Sequence, residues 1–477
     1  MKTLLMTYWS RFRSSFWFVP SIMACVAIGL AFSAVELDRT VDGGGLQFPG
    51  WAYSGGAEGA SLLLGTVAGS MIAIAGTVFS MTLVALSLAS SQLGPRLLRN
   101  FMRNTVNQVV LGTFVATFMY CLLVLRTIRR GSELGFVPHF SVSLGVLLAI
   151  VSVGVLIYFI HHISVSIQAD QVVARVGKEL NEGIERLFPG GAGTAGPPHP
   201  SVPLEECLPA SFASEAWPLR ALKDGYLQMI DDEALMELAC KEELLLRLES
   251  RPGHYLTQGR AMAMVWPRDR VIPRLQEKIN AAFVLGDQRT ANQDIAFSFN
   301  QLVEMAVRAL SPGINDHFTA IACVDRLESA LCRLARCDMP LALRFDTHGN
   351  LRLVAPQTSF HGIVDLAFNQ IRQSARSTPA VAVRLLDAIA QIASRVQREP
   401  DAACLQRHVE MIGRGARSAV PEADDLAVVE ASAATAMQVL SAVLDPSGQG
   451  TGQHHDASAM PVNVGPTRPT RAERIPI

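Results

Sequence analysis

The first residues of this chain able to do chemistry are hydroxyls set inside a long apolar stretch. Residues 62–91 read LLLGTVAGSMIAIAGTVFSMTLVALSLASS. Steps of four and three, the spacing of one helical face, pass through Thr66, Ser70, Ala73, Thr77, Ser80, Val84, Ser87 and Ser91, and six of these eight carry a hydroxyl. Elsewhere in the stretch only Thr82 and Ser90 do. A wet stripe on a membrane-length helix either packs on another helix or lines a passive, water-filled path. Its hydroxyls can also bond their own i−4 carbonyls, which satisfies them without any pore. Beside the stripe lie Gly65, Gly69 and Gly76, a small-residue edge on which helices can approach closely.

Charged chemistry is concentrated in a second place. Arg289 and Arg308, with Asn315 and Asp316 before a new helix, can hold a small anionic ligand, the helix N-terminus helping. The alternative is structural: Arg308 pairs with an acid, Pro312-Gly313 turns the chain, and Asn315 or Asp316 caps the next helix. Catalytic signatures are missing from the sequence. Ser311 has no nucleophile elbow, and no histidine pair has metal-ligand spacing. The eight cysteines form no CxxC, and six fall in the polar part of the chain, as expected of free thiols in a reducing cytosol. The expectation is a protein that is not an enzyme, with no cofactor and no metal. His161 and His162 can sense pH near neutrality or serve as interfacial polar caps.

The elements that hold these residues are membrane spans. The chain has 477 residues, 49% of them apolar, and a mean hydropathy of +0.27. That average hides two parts: residues 1–165 are nearly all membrane-like, and the rest reads as a soluble domain with a tail. Four stretches reach the roughly 20 residues that cross a bilayer core: about 16–37, the 62–91 run, about 106–125 and about 141–163. Tyr8, Trp9, Phe12, Trp17 and Phe18 flank the first as an aromatic belt. Its basic start also fits a cleaved signal peptide, but the apolar stretch is long for one. Apart from Glu36 at the end of the first, the four stretches hold no Asp, Glu, Lys or Arg, which argues against a proton relay or charge-coupled transport. Four spans make a poor pore alone, so a conduit requires a homo-oligomer.

Orientation follows from Lys and Arg near the span ends. Lys2, Arg11 and Arg13, then Arg96, Arg99 and Arg103, then Arg175 and Lys178 fall on one side, taken as cytoplasmic. Arg126, Arg129 and Arg130 on the other side are the misfit: a basic outer mouth for anions, or an ordinary interfacial cluster. With a net charge of −1, no basic field invites nucleic acid.

The predicted fold is an α-helical membrane protein with four transmembrane helices, plus a mostly helical α+β cytoplasmic domain with short β-hairpins. Residues 1–188 form the membrane domain, its fourth span running unbroken into a cytoplasmic helix. Residues 189–203 form a flexible linker, 204–444 the soluble domain and 445–477 a disordered tail. Strands are expected at 226–230, 244–248, 254–257 and 261–266, in an order faintly like barrel-sandwich folds, with a hairpin at 341–354. Helices are expected at 267–283, 294–310, 317–336, 359–375, 379–397, 402–416 and 422–443.

Three motifs carry a resemblance: SFWFVP near the start, ALSLASSQLGPRLL after the second span, and RALSPGIND at 308–316. Together they make the chain similar to a bacterial family of predicted membrane proteins catalogued as a domain of unknown function, over about residues 8–440. His317 stands where the family pattern continues with proline. The resemblance implies a multi-pass protein of the bacterial inner membrane and supplies no activity. Two roles stay open: a passive conduit gated by the cytoplasmic domain, or a non-transporting scaffold or signalling protein that binds a partner or small ligand.

Overall fold

The computed structural model describes residues 17–44, 53–93, 105–129, 136–166, 168–188, 207–339, 342–356 and 358–444. The expected linker and tail lie outside them. The first four helices are α1 (Phe18–Gly44), α2 (Ala57–Leu93), α3 (Thr105–Thr127) and α4 (His139–Ser166). α3 is central and touches the other three. Its Phe114, Tyr120, Cys121 and Val124 are accordingly sealed from solvent.

The glycines that let these helices meet are not those of the 62–91 stretch. A Cβ on Gly112 would lie 2.5 Å from Met23 Sδ and 3.2 Å from Pro20 Cα, across the α1–α3 contact. One on Gly145 would lie 2.9 Å from Leu64 Cδ2. Gly65, Gly69 and Gly76 have nothing within 4 Å of the same position. Gly112→Val is therefore expected to cost about 1–3 kcal/mol by overpacking. Gly69→Ala is expected to stay within about 0.5 kcal/mol of wild type or gain slightly from helix propensity. Thermal unfolding in detergent checks the pair.

α1 continues past residue 37, the expected end of the first span, so Asp38 and Arg39 lie on the helix. Asp38 is 2% exposed. Its carboxylate accepts from the Phe140 amide at 2.8 Å, the Ser141 amide at 2.8 Å and the Ser141 hydroxyl at 2.6 Å. These amides belong to the first turn of α4, where no intrahelical carbonyl can reach. α1 thus caps α4. The Tyr120 hydroxyl of α3 donates to the Ser141 carbonyl at 3.0 Å and ties a third helix to the same corner.

The unbroken helix expected beyond the fourth span is two helices. α4 ends at Ser166, Gln168 is extended with ψ 130°, and α5 (Ala169–Leu187) follows. The next elements are α6 (Phe212–Glu215), β1 (Trp217–Arg220), β2 (Gly225–Ile230), α7 (Asp232–Lys241), β3 (Leu245–Leu248), β4 (Tyr255–Leu256), β5 (Ala261–Trp266), α8 (Pro273–Ala281) and β6 (Phe283–Gly286). The expected 267–283 helix is shorter, because residues 268–270 form a 3-10 turn and Phe283 opens β6.

The helical part comprises α9 (Ile295–Ala309), α10 (His317–Leu334), α11 (Phe360–Ser374), α12 (Pro379–Ala393), α13 (Glu399–Ala419) and α14 (Ala423–Leu444). The hairpin β7 (Leu343–Phe345) and β8 (Leu351–Val354) interrupts it. Two sheets form, ordered β1-β5-β3-β8-β7 and β4-β2-β6. β3 pairs antiparallel with β5 and parallel with β8, so the distant hairpin joins the strand region through Leu246 against Leu353.

Val173, Val176, Leu180 and Ile184 of α5 recur on one face and enter the core formed with α9, α10 and the later helices. α5 therefore packs as part of the helical layer. Among the described residues, five helices are long and apolar enough to cross a membrane: α1 to α4, and α14. α14 differs in its surroundings. Val429, Ala436 and Leu440 are buried in the helical core, and Glu430 pairs with Arg417 of α13 at 3.2 Å.

Candidate functional site

The stripe on α2 is built by helical period. Its buried face is Leu64, Ala68, Met71, Ala75, Val78 and Thr82. At 100° per residue, the arc of Thr66, Ser70, Thr77 and Ser80 is centred about 155° from that face. These four, with Ser87, Gly69 and Gly76, are exposed, while Gly65 is half-buried. The side chain of Ser91 lies outside the described residues, as do Arg96, Arg99, Arg103 and Arg130. The hydroxyls therefore point away from their own bundle. Thr66 donates to the Leu62 carbonyl at 2.7 Å, Ser70 to Thr66 at 2.8 Å and Thr77 to Ala73 at 3.1 Å. Each uses its proton on its own helix and leaves oxygen lone pairs facing outward.

The charged group does not assemble. Arg289 lies before α9 and clasps Asp294 with Nε at 2.8 Å and Nη2 at 2.6 Å, while Asp294 caps α9. Arg308 is at the other end of α9, 3.8 Å from Glu304. Fourteen residues of helix, about 21 Å, separate the start of α9 from its end. Asn315 and Asp316 share the Arg308 end. Asn315 adopts φ 51°, a left-handed conformation that asparagine tolerates, and its side-chain oxygen meets His317 Nε2 at 3.0 Å. Asp316 caps α10, accepting from the Thr319 amide at 3.0 Å and its hydroxyl at 2.6 Å.

Two constellations escaped sequence reasoning. Asp365 of α11 meets Cys404 and His408 of α13, one ligand atom from each lying within 4.8 Å of the others. His408 is fully buried, its Nε2 is 2.8 Å from Asp365, and its Nδ1 has no partner. Such a set has the donors for a soft divalent cation. The Arg407 guanidinium already bonds the same Asp365 oxygen at 2.5 Å, so a cation would compete with it. Cys404 and His408 are four apart, a legible i,i+4 pair, but nothing in the sequence points to Asp365. The second is an open groove of about 570 Å³ where α10 and α12 end, with Arg333, Arg336, Arg395 and Gln397 in its wall. Arg333 is held by Glu185 of α5.

Burial lowers the His408 proton affinity below the ordinary value of 6.5, although Asp365 pulls the other way. Burial also pushes the Cys404 thiol up. The unfolded chain then binds a proton at His408 more readily than the folded one. Stability is expected to hold above about pH 7.5 and to fall as pH drops through the ordinary value of 6.5 and below it. Thermal midpoints of wild type and His408→Asn across that range check it, the variant showing the smaller fall.

A model of the family described as "Predicted membrane protein (DUF2254)" matches residues 13–391. An uncharacterized protein of Mycobacterium bovis and one of Mycobacterium tuberculosis H37Rv are each 32% identical over 433 residues, covering 90% of this chain and 81% of the relative. A third, from Mycobacterium tuberculosis CDC 1551, is 31% identical over the same length. No solved structure matches.

Proposed function

The chain belongs to the family of predicted membrane proteins described as DUF2254, and on that premise we propose that it is one subunit of a homo-oligomeric, passive membrane conduit. Helices α1 to α4 cross a bacterial inner membrane, with the N-terminus and the region from residue 204 onward on the cytoplasmic side. α14 stays with the helical domain, because a charged pair at Glu430 belongs in water.

The observation that carries this reading is the direction of the small, hydroxyl-bearing face of α2. A face turned from its own bundle meets lipid or a second copy. Lipid rewards neither glycine nor hydroxyl, whereas a second copy can approach closely across small residues. Around a symmetry axis the outward lone pairs of Thr66, Ser70 and Thr77 form an acceptor surface, suited to water and cations more than to anions. The 37 residues of α2 span about 55 Å against a hydrocarbon core of about 30 Å, and the helix touches α9. That continuity gives the cytoplasmic domain a rigid handle on the path.

The test is cation flux in liposomes. Thr77→Leu and Ser80→Leu are expected to cut flux about tenfold or more, a barrier change of ~1.4 kcal/mol, with unchanged thermal midpoints. Equal flux in all three proteins, or none in wild type, sinks the conduit. The second reading is a non-transporting scaffold or signalling protein with a dry α2 interface. Two observations favour it: the hydroxyls are satisfied on their own backbone, and the arginine-walled groove can take a small anion. It predicts a stable oligomer without flux.

A further inference from the structure

The loop between α9 and α10, Leu310 to Asp316, carries two large apolar side chains into the open at its tip and just beyond. Ile314 is 41% exposed and Phe318, the second residue of α10, is 86% exposed. Neither is needed to build the turn. The turn is closed by backbone bonds from the Ile314 and Asn315 amides to the Ser311 carbonyl and from the Asp316 amide to the Ala309 carbonyl. An exposed pair of this size requires a reason.

Helix register supplies one. α5 and α10 run side by side in the same direction: Gly177 lies against Arg326, and Glu185 pairs with Arg333. Counting back, α5 begins eight residues before Gly177 and α10 begins nine before Arg326, about 12 and about 14 Å at helical rise. The two helices therefore start at nearly the same level. The start of α5 is three residues beyond Ser166, the end of the candidate span α4. α9 runs the opposite way: its first residue, Ile295, packs on Gly183 near the far end of α5, so its last turn returns to this level. α9 also touches α2, another candidate span. The tip is thus brought to the membrane-proximal end of the helical layer, and Phe318 and Ile314 leave that end with His317 and Asp316 between them.

We propose that Ile314 and Phe318 insert into the headgroup and upper acyl region of the same bilayer that the spans cross, phospholipid being what covers them. The apolar tip with polar neighbours has the amphipathic form of an interfacial anchor. It fixes the helical layer to the membrane at a second point besides the α4–α5 junction. The inference goes beyond the conduit reading and does not require it, since it holds for a dry oligomer as well.

The test places the photoreactive residue p-benzoylphenylalanine at position 318 of the full-length protein, in vesicles of radiolabelled phosphatidylcholine and phosphatidylglycerol. A matched variant carries it at Phe345, which is 47% exposed on β7. Irradiation is expected to transfer lipid label to the protein at 318 and not at 345. A covalent dimer at 318 would mean that a second copy covers the tip, and label no greater than at 345 would mean that water does. Either result overturns the proposal. Phe318→Ser, with no core contact to lose, keeps its thermal midpoint if the tip is built as described, which separates loss of contact from loss of fold.

Discussion

Asp38→Ala is expected to destabilise the membrane helices by about 2–5 kcal/mol, since each buried amide left without its acceptor costs about 1–3 kcal/mol. The carboxylate accepts two backbone amides and one hydroxyl from the start of α4. Bonds to a charged group contribute about 1.5–3 kcal/mol each and do not add fully. Removing the acceptor also strands two amides where no carbonyl can replace it. The negative charge sits against the positive end of the α4 dipole, and alanine loses that as well. Asp38→Asn keeps one carbonyl oxygen and should lose about half as much. Far-UV circular dichroism during denaturation in detergent reads all three proteins. An alanine variant as stable as wild type would show that the corner contributes nothing.

Phe368→Ala is expected to cost the helical layer about 3–5 kcal/mol through lost burial and a cavity. Phe368 is sealed from solvent, and its ring meets His408 edge-on, centroids 5.8 Å apart at 72°. Part of the loss is that aromatic contact, about 0.5–1.5 kcal/mol beyond area. The same substitution opens space beside the imidazole, and a hydrated imidazole accepts a proton more easily. The variant is therefore expected to be less stable at pH near 8 and to lose less on acidification than wild type does. Thermal melts at two pH values separate the effects. An unchanged pH slope would mean that Phe368 does not keep His408 dry.

What could be read from single residues was local. Apolar runs located α1 to α4, because 20 apolar residues have few uses other than crossing a bilayer. Ser311 to Asp316 announced a helix break with a cap, which Asp316 supplies. The second span shows the limit. Its glycines and hydroxyls stand in line in the sequence, but nothing there tells which side of α2 meets α3. Leu64, Ala68, Met71 and Ala75 took that side, and the packing glycines proved to be Gly112 and Gly145 on other helices. Asp38 follows the expected end of the first span, where a carboxylate ordinarily faces water. Only the folded chain brings it against α4, 102 residues away.

The sequence by itself determined which segments are long and apolar enough to cross a bilayer, roughly where most helices lie, and which face of each is apolar, because these depend on neighbours within a turn or two. The tertiary structure decided which faces meet. It put the α2 hydroxyls outside their bundle, separated Arg289 from Arg308 at opposite ends of α9, and joined Asp365 to His408 across two helices. The physical reason is that contact between distant segments depends on shape complementarity summed over many side chains. No spacing along the chain records that sum.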